Sequence, residues 1–415
     1  MRVLCYAQHL SGVGHFVRTH ALACGLAEVH DVLLVDGGRP VPRLPGPPTM
    51  RLLPLPRLHR QQGALAPLAG DRPPTEVMAE RVHRLVTAIA EAPPDVMTIE
   101  HYPWSKWELE EEILAAIAAA RRSQPAVRVV CSLRDIAPRT RYEAVSEPEY
   151  ERRVLERLAD HFDAVLVHAD PRFARLEEHF RRASDLPVPW AYTGFVSAAH
   201  AHVQADGILD PRSYAVLSAG SGARELPFLL AASEAFRRLA ARGDLGEMRL
   251  VIFAALSGEA ADLDALREGT REGSTVVVPF SPEFPAWLGR SALSISRAGY
   301  NTCTDLLSAC VPAVLVPHPR MSDQGIRAQR MQASGLATVV AGDPPRVDAF
   351  MEAIRTARGG GPPAHRFALQ GVETTRALLE RLHHAGTLSG IGARECSVRE
   401  GLPIPPGFGE ADRPS

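Results

Sequence analysis

The chain has 415 residues, 46% of them hydrophobic and 23% charged, which allows two domains with separate cores and is ordinary for a soluble globular protein. Its 46 basic residues against 48 acidic give a formal charge of −2, so nothing in the charge balance advertises a nucleic-acid partner. Lys106 is the only lysine, which excludes any mechanism needing two, and the six cysteines form no CxxC pair and suit small buried hydrophobes in a reducing compartment.

In chain order, residues 2–8 read as a buried strand and residues 14–28 as the helix after it, followed by a short strand at Val32 to Val35. The proline-rich passage from Pro40 to Pro74 cannot sustain a long helix or a central strand, and is expected to hold short edge elements and a wall of a cleft. Helical spacing resumes over residues 75–91, Glu108 to Arg122 and Glu147 to Asp160. Strands are expected at Asp95 to Ile99, Ala126 to Cys131, Ala164 to Val167 and Val188 to Tyr192. Periodicity weakens between Gly194 and Arg212, as in a linker, and then the same alternation restarts. Strands at 214–217, 249–253, 275–278, 292–295, 312–316 and 337–340 alternate with helices at 225–242, 259–268, 283–288, 301–309, 324–333 and 346–356. Another helix falls within Pro362 to Leu382, and a Gly- and Pro-rich tail follows Ser389. Short apolar runs each followed by an amphipathic helix point to two doubly wound α/β domains with parallel sheets. The start of the chain reads as a strand rather than a signal peptide, and no apolar run is long enough to span a bilayer; a cytoplasmic protein is expected, with peripheral membrane contact left open.

Three glycine-rich turns lie between a strand pattern and a helix pattern. They are Gly12-Val13-Gly14-His15, Ser218-Ala219-Gly220-Ser221-Gly222-Ala223, and Arg297-Ala298-Gly299-Tyr300-Asn301-Thr302. Helix starts after such turns offer unpaired N–H groups to anions, and two such halves facing one cleft suggest an enzyme handling a phosphorylated donor.

With Ser11 before the first turn, these segments resemble the GT-B glycosyltransferases, especially the MurG-like group with its glycosyltransferase family 28 type of C-terminal domain. The strongest match is Ser296 to Asp305 followed by Asp323-Gln324, which is also similar to the Gly-x-Asn-Ser-x-x-Glu core of small-molecule glycosyltransferases. Thr302 stands at the usual serine and Asp305 at the usual glutamate, so a carboxylate one methylene shorter would have to reach the ribose. The resemblance implies a GT-B fold of two facing Rossmann-like domains. Residues 1–198 would bind the acceptor and residues 213–388 a UDP- or dTDP-linked sugar, joined by a linker at 199–212. It further implies inversion at the anomeric carbon, no cofactor and no bound metal, with the acceptor either a small molecule or lipid-linked.

A metal-free site needs fixed donors aimed at the leaving diphosphate. Gly220, Ser221, Gly222 and Ala223 fit that need, as do Gly299, Asn301 and Thr302, with tight structural turns as the alternative. Asp305 could accept from a ribose diol or simply complement a helix start. Phe280 resembles the base-contacting position, or packs in the core. Arg297 could pair with diphosphate or with a carboxylate of its own domain. Asp323 and Gln324 could read sugar hydroxyls, while Asp323 could instead cap its helix.

His15, at a strand-to-helix junction beside Gly14, is the leading general base; alternatively it binds backbone or an acceptor phosphate. Asp135 is the first choice to orient it, against a salt bridge with Arg134 or Arg139. Glu100 and His101, after their own strand, could bind the acceptor or replace His15, and Trp104 offers aromatic surface beside them. No HExxH, clustered Cys/His or GxSxG pattern occurs, and no DxD pair is read near a strand end. An NDP-sugar epimerase or hydrolase, and a nonenzymatic nucleotide- or glycan-binding module, are the other readings that these residues admit.

Overall fold

The computed structural model describes residues 1–388 apart from 11, 42–43, 45, 62, 71, 137–144, 198–208, 221–224, 255–263, 265, 267–274 and 279–280. The helix expected at 259–268 and the tail after Ser389 therefore lie almost wholly or wholly outside the described residues.

Two parallel sheets carry the two halves. The first contains β1 (Arg2–Tyr6), β2 (Asp31–Asp36), β3 (Met50–Pro54), β6 (Val96–Glu100), β7 (Arg128–Arg134), β8 (Ala164–His168) and β9 (Trp190–Tyr192), in the spatial order β3-β2-β1-β6-β7-β8-β9. The second contains β10 (Tyr214–Ser218), β11 (Arg249–Phe253), β12 (Thr275–Val278), β13 (Leu293–Ser296), β14 (Ala313–Leu315) and β15 (Thr338–Val339), in the order β12-β11-β10-β13-β14-β15. Helices cover both faces, so the central strands β6, β8 and β10 are buried along their whole length. That is why β8 and β10 read as near-continuous apolar runs rather than alternating ones, whereas β6 also buries Thr98 and Glu100.

Each sheet has one point where the strand order reverses, between β1 and β6 in the first and between β10 and β13 in the second. Loops leaving the carboxyl ends of such neighbouring strands diverge to opposite faces and open a crevice. The turn before His15 leaves β1 and Glu100 ends β6; Gly220 follows β10 and Gly299 follows β13. All four loci named from sequence therefore sit at the two switch points.

Among its described residues the proline-rich passage forms the edge strand β3, paired parallel with β2, and a small antiparallel hairpin, β4 (Leu58–Gln61) with β5 (Ala64–Pro67). The domain division differs from the expected one near the C-terminus. The helix Gly371–Ala385 returns to the first lobe, where Val372, Leu378, Leu379 and Leu382 join the core of Val3, Cys5, Phe16 and Leu22. The approach is close enough that a Cβ on Gly25 would stand 2.1 Å from Val372 Cγ1, so glycine is required there. The chain thus crosses between lobes twice, at adjacent places: Phe195 N–H donates to Ala368 O at 2.8 Å and Gly371 N–H to Phe195 O at 3.1 Å.

The lobes also meet through buried polar groups. The Tyr300 hydroxyl donates to His168 O at 2.9 Å, and the Asn301 amide donates to Gly14 O at 3.0 Å. Of the cysteines, Cys5, Cys131 and Cys303 are buried and free, with thiol pKa values pushed up by burial. No helix among the described residues is long and apolar enough to cross a membrane.

Candidate active site

His15 is the second residue of the helix Gly14–Leu26, whose start has no side-chain cap and no acidic residue in its first turn. Its Nδ1 lies 2.9 Å from Glu100 Oε1, at the end of the neighbouring strand β6. A carboxylate only accepts, so Nδ1 carries the proton and Nε2 keeps the lone pair. The same Oε1 accepts from Arg18 Nη2 at 2.8 Å, and Arg134 Nη2 stands 3.7 Å away. Burial opposes ionisation of Glu100, but His15, Arg18 and Arg134 together hold its carboxyl well below the usual range. Burial of the imidazole, then the Arg134 charge, hold His15 well below its ordinary value against the pull of Glu100. At neutral pH the ring is therefore an uncharged base with a fixed tautomer.

Glu100, not Asp135, orients this ring. Asp135 faces the other lobe, where both of its oxygens accept from Arg327, from Nε at 2.7 Å and Nη2 at 2.9 Å. The reason is strand order. Strand β6 lies beside β1, whereas β7, which precedes Asp135, lies one strand further away. Arg327, on the helix Ser322–Ala333, also donates to Ala298 O and to Asp323, and these carboxylates raise its pKa above an already high value. Breaking a buried pair strands a charge at a cost of about 3–5 kcal/mol, whereas replacing both partners with apolar groups is close to neutral. Asp135→Asn is expected to lower the unfolding free energy by an amount in that range, read from the denaturation midpoint, and the double variant Asp135→Leu/Arg327→Met to recover most of it. An unchanged midpoint for Asp135→Asn would show that the pair is not a lobe-to-lobe tie.

His101 has a left-handed backbone (φ 63°), and its ring stands edge-on to His15 with centroids 5.1 Å apart. Both of its ring nitrogens are buried without a hydrogen-bond partner, and burial holds its pKa well below the ordinary value. His15, Glu100 and His101 each offer a ligand atom within 4.8 Å of the others, a grouping that could hold a cation. Arg18 and Arg134 spend the carboxylate's charge, however, which suits an acid–base group better than a metal ligand.

In the second lobe the helix Tyr300–Ala309 begins after Gly299 without a side-chain cap or an acidic residue in its first turn. A Cβ built on Gly299 would meet only Thr302 Oγ1, at 3.9 Å, so space remains above this helix start. Gly220 has φ +72°, which only glycine adopts readily, and its N–H donates to Ser218 Oγ at 3.2 Å. Ser221, Gly222, Ala223 and Phe280 lie outside the described residues.

Asp305 is buried one turn into the same helix with Oδ1 unpartnered. Desolvation raises its carboxyl pKa from 3.8 to about 8. An unfolded aspartate has lost this proton above pH 4 while the folded one keeps it, so stability falls as pH rises from about 4 to 8. Asp305→Asn lacks the penalty. It is expected to melt at a higher temperature than the parent at pH 8 and at a similar one near pH 4, followed by circular dichroism. An equal melting temperature at both pH values would show that the carboxyl is not desolvated.

Two expected contacts are otherwise employed. Arg297 is paired with carboxylates of its own domain: its guanidinium donates to Glu225 at 2.7 and 2.9 Å and to Asp343 at 2.7 Å, with Phe228 against its face. Trp104 is fully buried in the first lobe's core, edge-on to Phe180, and presents no surface to an acceptor. Asp323 makes no helix cap and pairs with Arg327 at 3.1 Å, while Gln324 Oε1 accepts from His318 N–H at 3.0 Å. Arg18, Arg134 and Arg327 were not singled out for the site by their sequence context. The available signal was an arginine on the inward side of a helix or at a strand end, where a solvated charge does not belong.

Residues 238–355 match the model of the glycosyltransferase family 28 C-terminal domain. Two sequence relatives are UDP-N-acetylglucosamine–N-acetylmuramyl-(pentapeptide) pyrophosphoryl-undecaprenol N-acetylglucosamine transferases. That of Synechococcus sp. (strain CC9605) is 43% identical over 61 residues, 15% of this chain and 17% of that protein. That of Solibacter usitatus (strain Ellin6076) is 32% identical over 114 residues, 26% of this chain and 31% of that protein. The matched stretches thus span less than a third of those relatives' length. Among solved structures, spinosyn forosaminyltransferase SpnP aligns with TM-score 0.56 at 15% identity over 93% of this chain and 95% of that one. MurG of Acinetobacter baumannii gives 0.51 at 16% over 92% and 99%. A Listeria monocytogenes protein assigned as a UDP-N-acetylglucosamine 2-epimerase gives 0.60 at 14% over 93% and 97%. These likenesses establish the GT-B fold; at such identities they do not carry the chemistry.

Proposed function

We propose that this chain, a GT-B protein whose residues 238–355 carry the glycosyltransferase family 28 C-terminal domain, transfers a sugar from a nucleoside-diphosphate donor to an acceptor nucleophile. The observation that carries this reading is one juxtaposition. The neutral His15, held by Glu100, stands beside Gly14, and the carbonyl of Gly14 accepts from Asn301 in the first turn of the opposing uncapped helix. A base from one lobe and an uncapped helix start from the other therefore meet at the lobe boundary.

In the proposed step the acceptor oxygen attacks the anomeric carbon from the side opposite the diphosphate, inverting it. His15 Nε2 takes the acceptor proton as the new C–O bond forms. The bond from the anomeric carbon to the diphosphate oxygen breaks, and its electron pair leaves with the nucleoside diphosphate. In this reading the backbone N–H groups of Gly299, Asn301 and Thr302 meet that developing charge, and no metal ion is needed. In this reading Asp305 accepts from the ribose, and Gln324 is the nearer of the Asp323-Gln324 pair to a free role, because Asp323 is held by Arg327. The donor is UDP- or dTDP-linked; the acceptor is a small molecule or a lipid-linked one.

The second reading, an NDP-sugar epimerase or hydrolase, draws on the second imidazole, His101, in contact with His15. Incubation with UDP- and dTDP-sugars and a panel of acceptors, read by mass spectrometry, separates the two. Conjugate formed together with nucleoside diphosphate, only when acceptor is present, supports transfer. Epimer or free sugar released without acceptor overturns it.

A further inference from the structure

Arg134 is a buried cation that the step described above does not use. It is the last residue of β7, and only 12% of its side chain is exposed. Its Nε and Nη2 are both buried and make no hydrogen bond. Among the described residues, the carboxylate oxygen paired with it is Glu100 Oε1, 3.7 Å away, which already accepts from His15 and Arg18. The carboxylate of the next residue, Asp135, is committed to Arg327 across the lobe boundary.

The surroundings of the guanidinium come from both lobes. Its Nη2 is 3.9 Å from where a Gly14 Cβ would be, and its Cζ lies 5.6 Å from the centre of the Tyr300 ring, the first residue of the helix Tyr300–Ala309. Burial lowers its pKa only from a high starting value, so the group stays charged. Arg18 and Arg134 therefore set two fixed positive charges against the single carboxylate of Glu100, beside a helix start that is itself uncompensated. A desolvated cation with idle donors is costly unless something anionic completes it.

We propose that Arg134 is a catalytic residue that hydrogen-bonds the departing diphosphate, bringing a first-lobe cation to the leaving group held by the second lobe. This rests on the glycosyl-transfer reading. As the anomeric C–O bond breaks, negative charge gathers on the diphosphate oxygens, and the guanidinium and the N–H groups of the Tyr300 helix meet it from two sides. The acceptor's proton goes to His15, so Arg134 takes no part in proton transfer. Because the cation comes from the opposite lobe, it binds the diphosphate fully only when the lobes are together.

The test is calorimetric binding of UDP and dTDP, against uridine and thymidine, to the full chain and to Arg134→Met and Arg134→Lys. Charge-assisted hydrogen bonds of this kind support a loss of about 10–100-fold. Arg134→Met is expected to lose that much diphosphate affinity with nucleoside affinity unchanged, and Arg134→Lys to recover part of it. Turnover at saturating donor should fall with it. Equal diphosphate affinity in parent and Arg134→Met overturns the assignment, as does a parallel loss for nucleoside and diphosphate, which would mark a structural role. A loss confined to acceptors that carry phosphate also overturns it, by giving the cation to the acceptor. A parent that binds no nucleoside diphosphate removes the transfer reading itself, and so is told apart from failure of Arg134 alone.

Discussion

Replacing His15 with alanine is expected to lower turnover by about 10²–10⁴-fold, the range that positioned proton transfer contributes. The change should leave the fold intact. The ring is one-quarter exposed, and Glu100 keeps Arg18 and Arg134 as partners after the imidazole is gone. Affinity for nucleoside diphosphate should also be retained, since the ring's hydrogen bond is to Glu100 within its own lobe. The pH profile provides a second readout. Burial and Arg134 hold the His15 pKa well below the ordinary 6.5, so the base stays unprotonated as pH falls through the usual histidine range. The acid limb of kcat/KM is therefore expected below pH 6.5, and Glu100→Gln, which removes the one attractive charge, should move it lower still. Turnover in His15→Ala within a factor of two of the parent, at saturating acceptor, would remove this residue from the base role.

The second large effect is expected at Gly299. Its backbone (φ −67°, ψ 153°) suits any residue, and a Cβ there meets nothing closer than Thr302 Oγ1 at 3.9 Å. The backbone and the space at the Cβ therefore accept a side chain in the ligand-free protein, and the melting temperature of Gly299→Leu is expected to change little. The added side chain would stand over the first turn of the Tyr300–Ala309 helix, in the volume assigned to diphosphate. Affinity for UDP or dTDP is expected to fall at least about a hundredfold, about 2.7 kcal/mol, while stability is preserved. Gly220 makes the contrasting control. With φ +72°, any side chain strains the backbone there, so lost binding and lost stability would come together. Gly299→Leu that binds diphosphate as well as the parent would show that the helix start is not the anion site.

The order and placement of the elements were legible because most buried strands are short, largely apolar segments, and each functional turn follows such a segment directly. The site loops could be named for the same reason, since parallel strands deliver their carboxyl ends to one edge of the sheet. Which residues touch across that edge was not legible. Asp135 and Glu100 both follow a strand and precede a helix or turn, and only the spatial order β1-β6-β7 decides that Glu100 reaches His15 while Asp135 reaches Arg327. For Arg297 the structure shows the other reading, carboxylates of its own domain; these partners, Glu225 and Asp343, come from segments 72 residues before it and 46 after it, a pairing that no local pattern records. Trp104 followed the same functional strand as Glu100, but the chain turns inward there and buries the indole completely. The helix Gly371–Ala385 shows the converse limit. Its amphipathic pattern announces a helix, while the lobe that receives it depends on the glycine-permitted contact between Gly25 and Val372.

The most direct test is a crystal structure with a non-hydrolysable nucleotide-sugar, solved from metal-free and magnesium-containing solutions. The diphosphate is expected within hydrogen-bond distance of the first N–H groups of the Tyr300–Ala309 helix and of Arg134, in both solutions, with His15 Nε2 facing the anomeric carbon from the opposite side. A diphosphate bound away from that helix start, or seated there only through a cation held by His15, Glu100 and His101, would contradict it.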